Sequence, residues 1–494
     1  MRNKIIILLL IVAWLGTGAC SNFLKEESQS EVIPKTTADF SELLLGTGYP
    51  DVNSPSFSFT SLMDDDCALF LTYVGRESDQ YAGSNSAILN FPYYSWQPYA
   101  SDYDGYGNEI NVSPSSTTYG AFYAKILGCN AVLDYIDDAV GPDNEKERVK
   151  AEALAVRSLL YFQLVNIYGE PYNHNKEALG VPVRLTADLT EEHLKRETVA
   201  YIYEEVIAKG LEEAARLMDP LPVIRKNYRV NQPAIHILLS RVYLYMERYE
   251  ECIAEVDKAI EQGAILLDMV NALDYIASGN LYYPITYDNP EVEWLFGPSA
   301  VSSAYAYQPG TAPEFRELWD EINDQRFLAN NFKSQKDYND IPTNNVLMTK
   351  PYGGNNFGQS IRFAEAVLNR MEAYALLGDN ESALAELNNF RKKRIIGYTD
   401  ENYGEKELLE QIRLERRKEL CFEGHRWFDL RRQGMPEIKH SYKFEKGGTL
   451  YNFVLKAKDP LYTIPLPNSL LLQNSGLLQN SSRENGDRQG NTII

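Results

Sequence analysis

The chain has 494 residues, 44% of them hydrophobic, which is enough to bury a large core, and a formal charge of -21 from 69 acidic against 48 basic residues. Such a surface repels phosphate backbones, so nucleic acid is excluded as a partner and the acidity reads as solubility outside the cytoplasm. Past the N-terminal segment no stretch approaches the roughly 18 consecutive apolar residues of a spanning helix, so none is expected in the remaining chain.

The first element is Ile5 to Leu15, an unbroken apolar run behind Arg2 and Lys4. A charged start, an apolar core and the small-residue exit Gly16-Thr17-Gly18-Ala19 are the parts of a secretory signal peptide, and the run falls short of the ~20 residues that span a bilayer. Cys20 stands at the exit. A thiol at the first mature position is the acceptor for bacterial lipidation; Ala19 suits the position before it, and Thr17 stands where Leu is more usual. The expected organisation is a lipoprotein signal peptide over 1–19, then a lipidated Cys20 and a polar tether over 20–35, with folded structure beginning near Thr36.

Residues 51–118 are rich in Gly, Ser, Asn, Pro and Tyr and carry no sustained period. A segment this long is more than a connector, and ordered loops on a rigid scaffold are where binding groups concentrate. Within it, Asp64-Asp65-Asp66 offers clustered oxygen donors, so a structural calcium ion is an open alternative to a solvated turn; otherwise no cofactor is expected. Tyr93, Tyr94, Trp96, Tyr99, Tyr103 and Tyr106 follow, among Asp102, Asp104 and Asn108. A sugar presents apolar C–H faces and a rim of hydroxyls, and flat rings beside carboxylates and amides match both. Trp96, Tyr99, Tyr103, Tyr106, Asn108 and Asp65 are therefore candidate ligand contacts. Trp96 leads because the largest ring stacks best, and Trp96→Ala is expected to weaken binding while thermal unfolding stays nearly unchanged.

Helical spacing begins at Tyr119 to Ala139 and continues in Glu145 to Tyr168, which stops at Gly169 with Pro171 beyond. Further helices are expected over Val199 to Met218, Pro233 to Met246, Glu250 to Gln262, Arg362 to Leu377, Glu381 to Arg394 and Lys406 to Phe422. Tyr243 to Ala254 aligns without gaps to Tyr374 to Ala385, with Cys252 in the place of Ala383. A helix, a tight turn and a second helix with a small residue at the crossing resembles a tetratricopeptide repeat. The fold class expected is mainly α, with such hairpins forming a superhelical scaffold. Cys67, Cys129, Cys252 and Cys421 are far apart and mostly sit in apolar helical patterns, so they read as small buried hydrophobes and no disulfide framework is expected.

Between the helical blocks lies a second irregular stretch, 271–358, carrying Trp294, Tyr305, Tyr307 and Trp319. Trp294 alternates with Phe296 as core-strand residues do. No His-Glu-x-x-His, Gly-x-Ser-x-Gly or phosphate loop occurs, and the five His residues are scattered.

Glu415, Glu419 and Glu423 follow one another at i,i+4 spacing with Arg416 and Arg417 between them. Glycoside hydrolysis needs two acids facing each other across a sugar, and acids crowded by Arg are too acidic to serve as the general acid. An ion-pair network that locks the helix, with Trp427 and Phe428, is the preferred reading.

The whole segment Ile412 to Gly434, containing Glu415-Arg416-Arg417-Lys418-Glu419-Leu420-Cys421-Phe422-Glu423-Gly424-His425-Arg426-Trp427-Phe428-Asp429, resembles the hallmark of the SusD/RagB family. Asn130, Ala153 to Tyr168 with Arg157, Gly180-Val181-Pro182-Val183, Arg362-x-x-Glu365, Ile464-Pro465-Leu466-Pro467 and Leu472-Gln473-Asn474 fall in that family's order, while the polar tail from Ser481 departs from it. The resemblance implies a single SusD-like domain over 36–494 with ligand-binding loops around 51–118 and 271–358, which adds Trp294, Tyr305, Tyr307 and Trp319 to the candidate contacts. It implies no enzyme. The expected role is that of an outer-membrane lipoprotein facing the cell exterior. It captures a glycan for a SusC-like TonB-dependent transporter, and the basic-then-acidic Lys25-Glu26-Glu27 resembles the export signal of such lipoproteins. A peptide-binding RagB-like member and a lipid-anchored glycosidase are the alternatives.

Overall fold

The structure, a computed structural model, describes residues 34–69, 85–188, 193–225, 228–272, 285–302, 307–309, 312–329, 333–336, 342–347, 357–445 and 448–492. The expected signal peptide, Cys20 and nearly all of the tether lie outside them.

Helix dominates, as the periodicity predicted. The main helices of the first half are α1 (Thr37–Leu43), α2 (Asn85–Tyr94), α3 (Pro114–Leu133), α4 (Asp143–Tyr168) and α5 (Lys209–Met218), the last entered through a π-helical stretch, Ile202–Ala208. α3 starts five residues before the predicted Tyr119 because Ser113 and Ser116 form a reciprocal capping box and Pro114 occupies the first turn. α4 is the hub. Every residue from Ala151 to Tyr168 except Arg157 is buried, and α3 and α5 pack along it.

The second half holds α6 (Gln232–Tyr245), α7 (Tyr249–Glu261), α8 (Phe363–Leu377), α9 (Asn380–Lys392), α10 (Glu405–Glu419) and α11 (Arg426–Arg432). The hairpins α6–α7 and α8–α9 stack through α7 against α8, and α10 covers α8, which is the repeat scaffold expected. The aligned turns share backbone geometry as well: Gly378 and Glu247 occupy the same repeat position, and both are left-handed, at φ +82° and +60°. Cys252 and Ala383 are both fully buried where the helices cross. Cys67, Cys129 and Cys421 are also buried, and none of these four thiols is in a disulfide.

Short strands fasten the irregular segments to the scaffold. They are β1 (Cys67–Leu69), β2 (Leu179–Pro182), β3 (Arg196–Thr198), β4 (Val292–Phe296), β5 (Tyr307–Pro309), β6 (Lys333–Lys336), β7 (Pro342–Leu347), β8 (Gln359–Arg362), β9 (Ile438–Lys443), β10 (Leu450–Leu455) and β11 (Asn491–Thr492). All pair antiparallel: β1 with β5, β2 with β3, β4 with β8, β6 with β7, and β9–β10–β11 as a three-stranded sheet. One hydrophobic core runs from Phe40 to Leu477, and a smaller one gathers Phe315, Trp319 and Phe327.

The hallmark acids sit in a buried ion-pair network, but their partners are not the neighbouring arginines. Glu419 meets Arg362 at 2.6 Å, Arg394 at 3.0 Å and Arg326 at 3.1 Å; Glu415 meets Arg326 and Arg391, each at 2.7 Å; Glu423 meets Arg362 at 2.7 Å. Arg416 instead bonds Asp429 and Asn369, and Arg417 reaches back to Asp66. Burial opposes ionisation, yet the surrounding cations outweigh it and hold Glu415 down at about 2 and Glu419 well below the carboxylate range. Such groups are permanent anions and cannot lend a proton at neutral pH.

Candidate functional site

The aromatic segment after α2 folds into a ledge. Trp96 takes a left-handed conformation (φ +50°) as the chain leaves α2, and a tight turn follows in which the Tyr99 carbonyl accepts the backbone N–H groups of Asp102 and Tyr103. Tyr103 then bridges antiparallel to Glu109, which closes residues 103–109 into a compact loop. Asp104 organises its interior: the carboxylate accepts the backbone N–H groups of Tyr106 and Asn108, each at 2.9 Å, and Asn108 Nδ2 at 3.1 Å. Its burial is outweighed by these hydrogen bonds, and the carboxyl is held below its ordinary value. Gly105 lies against α2 so closely that a Cβ would meet the Ile88 carbonyl oxygen at 2.0 Å, so no other residue fits.

The polar C-terminal tail clamps the other side. Asp102 accepts the Asn468 N–H at 2.7 Å and faces Arg483 at 3.0 Å; Arg483 also donates to the Pro98 carbonyl, and Gln97 exchanges two hydrogen bonds with the backbone of Arg488. The tail that departs from the family pattern thus fastens one side of the ledge, together with Asn468. Tyr103 and Tyr106 are 37% and 53% exposed on it, Tyr99 is half-buried edge-on to Tyr103 at 6.1 Å, and Asn108 is exposed with Oδ1 left to accept. Two presented rings beside an amide are what a sugar face and its hydroxyl rim require.

The remaining predicted contacts go elsewhere. Trp96, the leading one, is 1% exposed: His440 stacks on it at 4.2 Å and its Nε1 donates to the Met63 carbonyl at 2.9 Å. Its faces are spent on the core, so it is the anchor under the ledge and not a stacking platform. Trp294 on β4 is fully buried between Tyr49 and Phe296, and Trp319 is buried beside Phe315 and Phe327; both are core residues for the same reason. Asp65 is engaged by Arg426 through both carboxylate oxygens, at 2.6 and 2.7 Å, with Arg417 at 3.5 Å. Asp65 and Asp66 are thus paired with protein cations while burial raises the Asp64 carboxyl, and no group of three or more metal-binding side chains occurs among the described residues. Tyr307 pairs through its backbone with Leu69, and Tyr305 lies outside the described residues.

One aromatic grouping went unseen in the sequence. Tyr228, 45% exposed, lies 6.4 Å from Phe357, and Tyr287 is close enough for Tyr228 to add to the burial that pushes its hydroxyl pKa up. They lie in three separate stretches of the chain, so no local pattern marks them as neighbours.

The sequence profile described as "Starch-binding associating with outer membrane" matches residues 50–244, and that described as "SusD family" matches 300–482. A SusD-like protein of Formosa agariphila is 23% identical over 384 residues, covering 65% of this chain and 73% of its own length. Among solved structures, a SusD superfamily protein from Bacteroides thetaiotaomicron superposes with a TM-score of 0.66 at 21% identity, covering 90% of this chain and 99% of that one. One from Bacteroides fragilis gives 0.65 at 22% identity over 90% and 99%, and a SusD-like carbohydrate binding protein from Bacteroides vulgatus gives 0.63 at 21% over 90% and 97%.

Proposed function

Because this chain belongs to the SusD/RagB family, we propose that it is a lipid-anchored nutrient-binding protein of the outer cell surface, which captures a glycan for a SusC-like TonB-dependent transporter. The observation that carries the glycan reading is the ledge, where Tyr103 and Tyr106 stand exposed beside Asn108 on a loop fixed from both sides. The carbohydrate-binding relative from Bacteroides vulgatus supports the same choice of ligand. Capture and release is the mechanism. The hallmark acids lie in buried ion pairs, so a glycosidase would have to find its acid elsewhere. Tethering through Cys20 beside a channel mouth keeps the local ligand concentration high, so modest intrinsic affinity suffices.

Isothermal titration against a panel of oligosaccharides and a panel of peptides tests the reading. At least one glycan is expected to bind, and Tyr106→Ala is expected to weaken it roughly three- to tenfold, the contribution of one aromatic face. Silence from every glycan with a response from peptides would move the assignment to a RagB-like peptide binder. Release of shortened oligosaccharides during incubation would establish a hydrolase instead.

A further inference from the structure

A second polar cleft, of about 330 Å3, lies between the C-terminal end of α4, the β2–β3 pair and the segment 458–482. Its charge balance is unusual for a chain of formal charge -21. Arg196, buried in the wall, gives its hydrogen bonds to the carbonyls of Tyr168, Leu179, Gly180 and Leu478, and Arg431, one layer deeper, to those of Asn166, Gly169 and Tyr462. Among the described residues neither guanidinium has a carboxylate in ion-pair contact; their compensation comes mainly from backbone oxygens and the negative end of the α4 dipole, roughly half a charge, with Glu170 acting on Arg431 from beyond contact distance. Burial pushes both down to about 10, so both remain cations at neutral pH.

Of the cleft's two acids, only Asp459 is matched by a permanent cation, which leaves Glu170 against Arg196, Arg431 and Lys458. Asp459 pairs with Arg488 at 2.9 Å, and Glu170 faces His174 at 3.8 Å and Asn175 Nδ2 at 3.3 Å. Lys458 is exposed on the rim and forms no ion pair among the described residues. It is held in a left-handed conformation (φ +56°) by donating its N–H to Met435, itself left-handed at +53° and also in the wall. Strained backbone of this kind persists where surroundings over-determine it. Ser482, also in the wall and 1% exposed, has a hydroxyl with no hydrogen-bond partner among the described residues. Surplus positive charge and an unsatisfied hydroxyl thus share one cleft of sugar-residue size.

We propose that this cleft binds a small oxyanion, a carboxylate or sulfate group carried on a ligand of about one sugar residue, with Lys458 and Arg196 supplying charge and Ser482 a hydrogen bond. None of its residues belongs to the tyrosine ledge, so the two sites fail or hold independently. The test is isothermal titration of the full chain at constant ionic strength with sulfate, D-glucuronate and D-glucose. Saturable binding of at least one anion and none of glucose is expected, and the tighter of the two anions identifies the group. Lys458→Ala is expected to weaken it about tenfold, as loss of one charge-assisted contact does, while Tyr106→Ala leaves it unchanged. Lys458→Gly separates charge from folding, because glycine accepts the left-handed backbone: stability equal to or above that of the parent chain with the same loss of affinity is the expected result. Absence of saturable binding by both anions, glucose binding as tightly as glucuronate, or anion affinity untouched in both Lys458 variants would overturn the proposal.

Discussion

Trp96 and Tyr106 sit ten residues apart in one aromatic run and do opposite jobs. Trp96 spends a ring face on His440, its Nε1 on Met63 and a left-handed backbone on the turn, so removing it opens a cavity beneath the whole ledge. Trp96→Ala is expected to cost about 3–5 kcal/mol, the range for deleting a buried aromatic, read as a lowered urea midpoint; ligand binding would fall because the loop comes apart. A midpoint within experimental scatter of the parent would return Trp96 to the role its size first suggested. Tyr106→Ala, on the exposed tip, should shift stability by no more than about 0.5 kcal/mol. Composition reveals such a run. It does not reveal which ring faces outward, because every Tyr and Trp has the same local context of Gly, Asp and Pro.

The helical hairpins are where local sequence and structure agree most closely. Spacing, caps and the gapless repeat alignment placed α6, α7, α8 and α9 to within about two residues, the ordinary uncertainty of helix ends. What the pattern could not show is how the helices are stitched. His236, buried on α6, has Nδ1 2.6 Å from Glu255 on α7 and Nε2 3.0 Å from Asp219 beyond α5. Burial disfavours the charged ring, but the two carboxylates outweigh it and raise the imidazole to about 9. Lys258 on α7 also faces Glu255, at 2.8 Å. Since the folded value exceeds the unfolded value near 6.5, this stabilisation is fully present below that pH and lost as pH rises through about 9. Urea unfolding at pH 6 and pH 9.5 should therefore differ by about 3 kcal/mol in the parent chain, a difference that His236→Gln abolishes. A pH dependence that survives the substitution would assign it to other groups.

Over the whole molecule, the hallmark segment is a junction. Glu419 on α10 holds Arg362 at the end of β8, Arg394 after α9 and Arg326 from the turn of helix Gln325–Ala329, and Glu291 joins Arg362 and Arg394 beside it. The repeat scaffold and the irregular segment between its hairpins are thereby tied through one carboxylate. Glu419→Gln leaves buried guanidiniums under-compensated and should cost about 3–5 kcal/mol, measured as a drop in thermal unfolding temperature with glycan affinity preserved in the folded fraction. Full stability in that variant would show that the remaining acids suffice.

The helical blocks, the repeat, the ion-pair character of the hallmark and the family to which that hallmark belongs are legible from the chain alone, because period, capping and short motifs are written in residues only a few positions apart. Which acid meets which arginine, the cover of His440 over Trp96, the clamp of the tail around Arg483 on the ledge and the meeting of Tyr228, Tyr287 and Phe357 emerge only on folding. Each of those depends on what a distant part of the chain lays over a given face. Burial and charge pairing are properties of that assembled surface, and no local stretch encodes them.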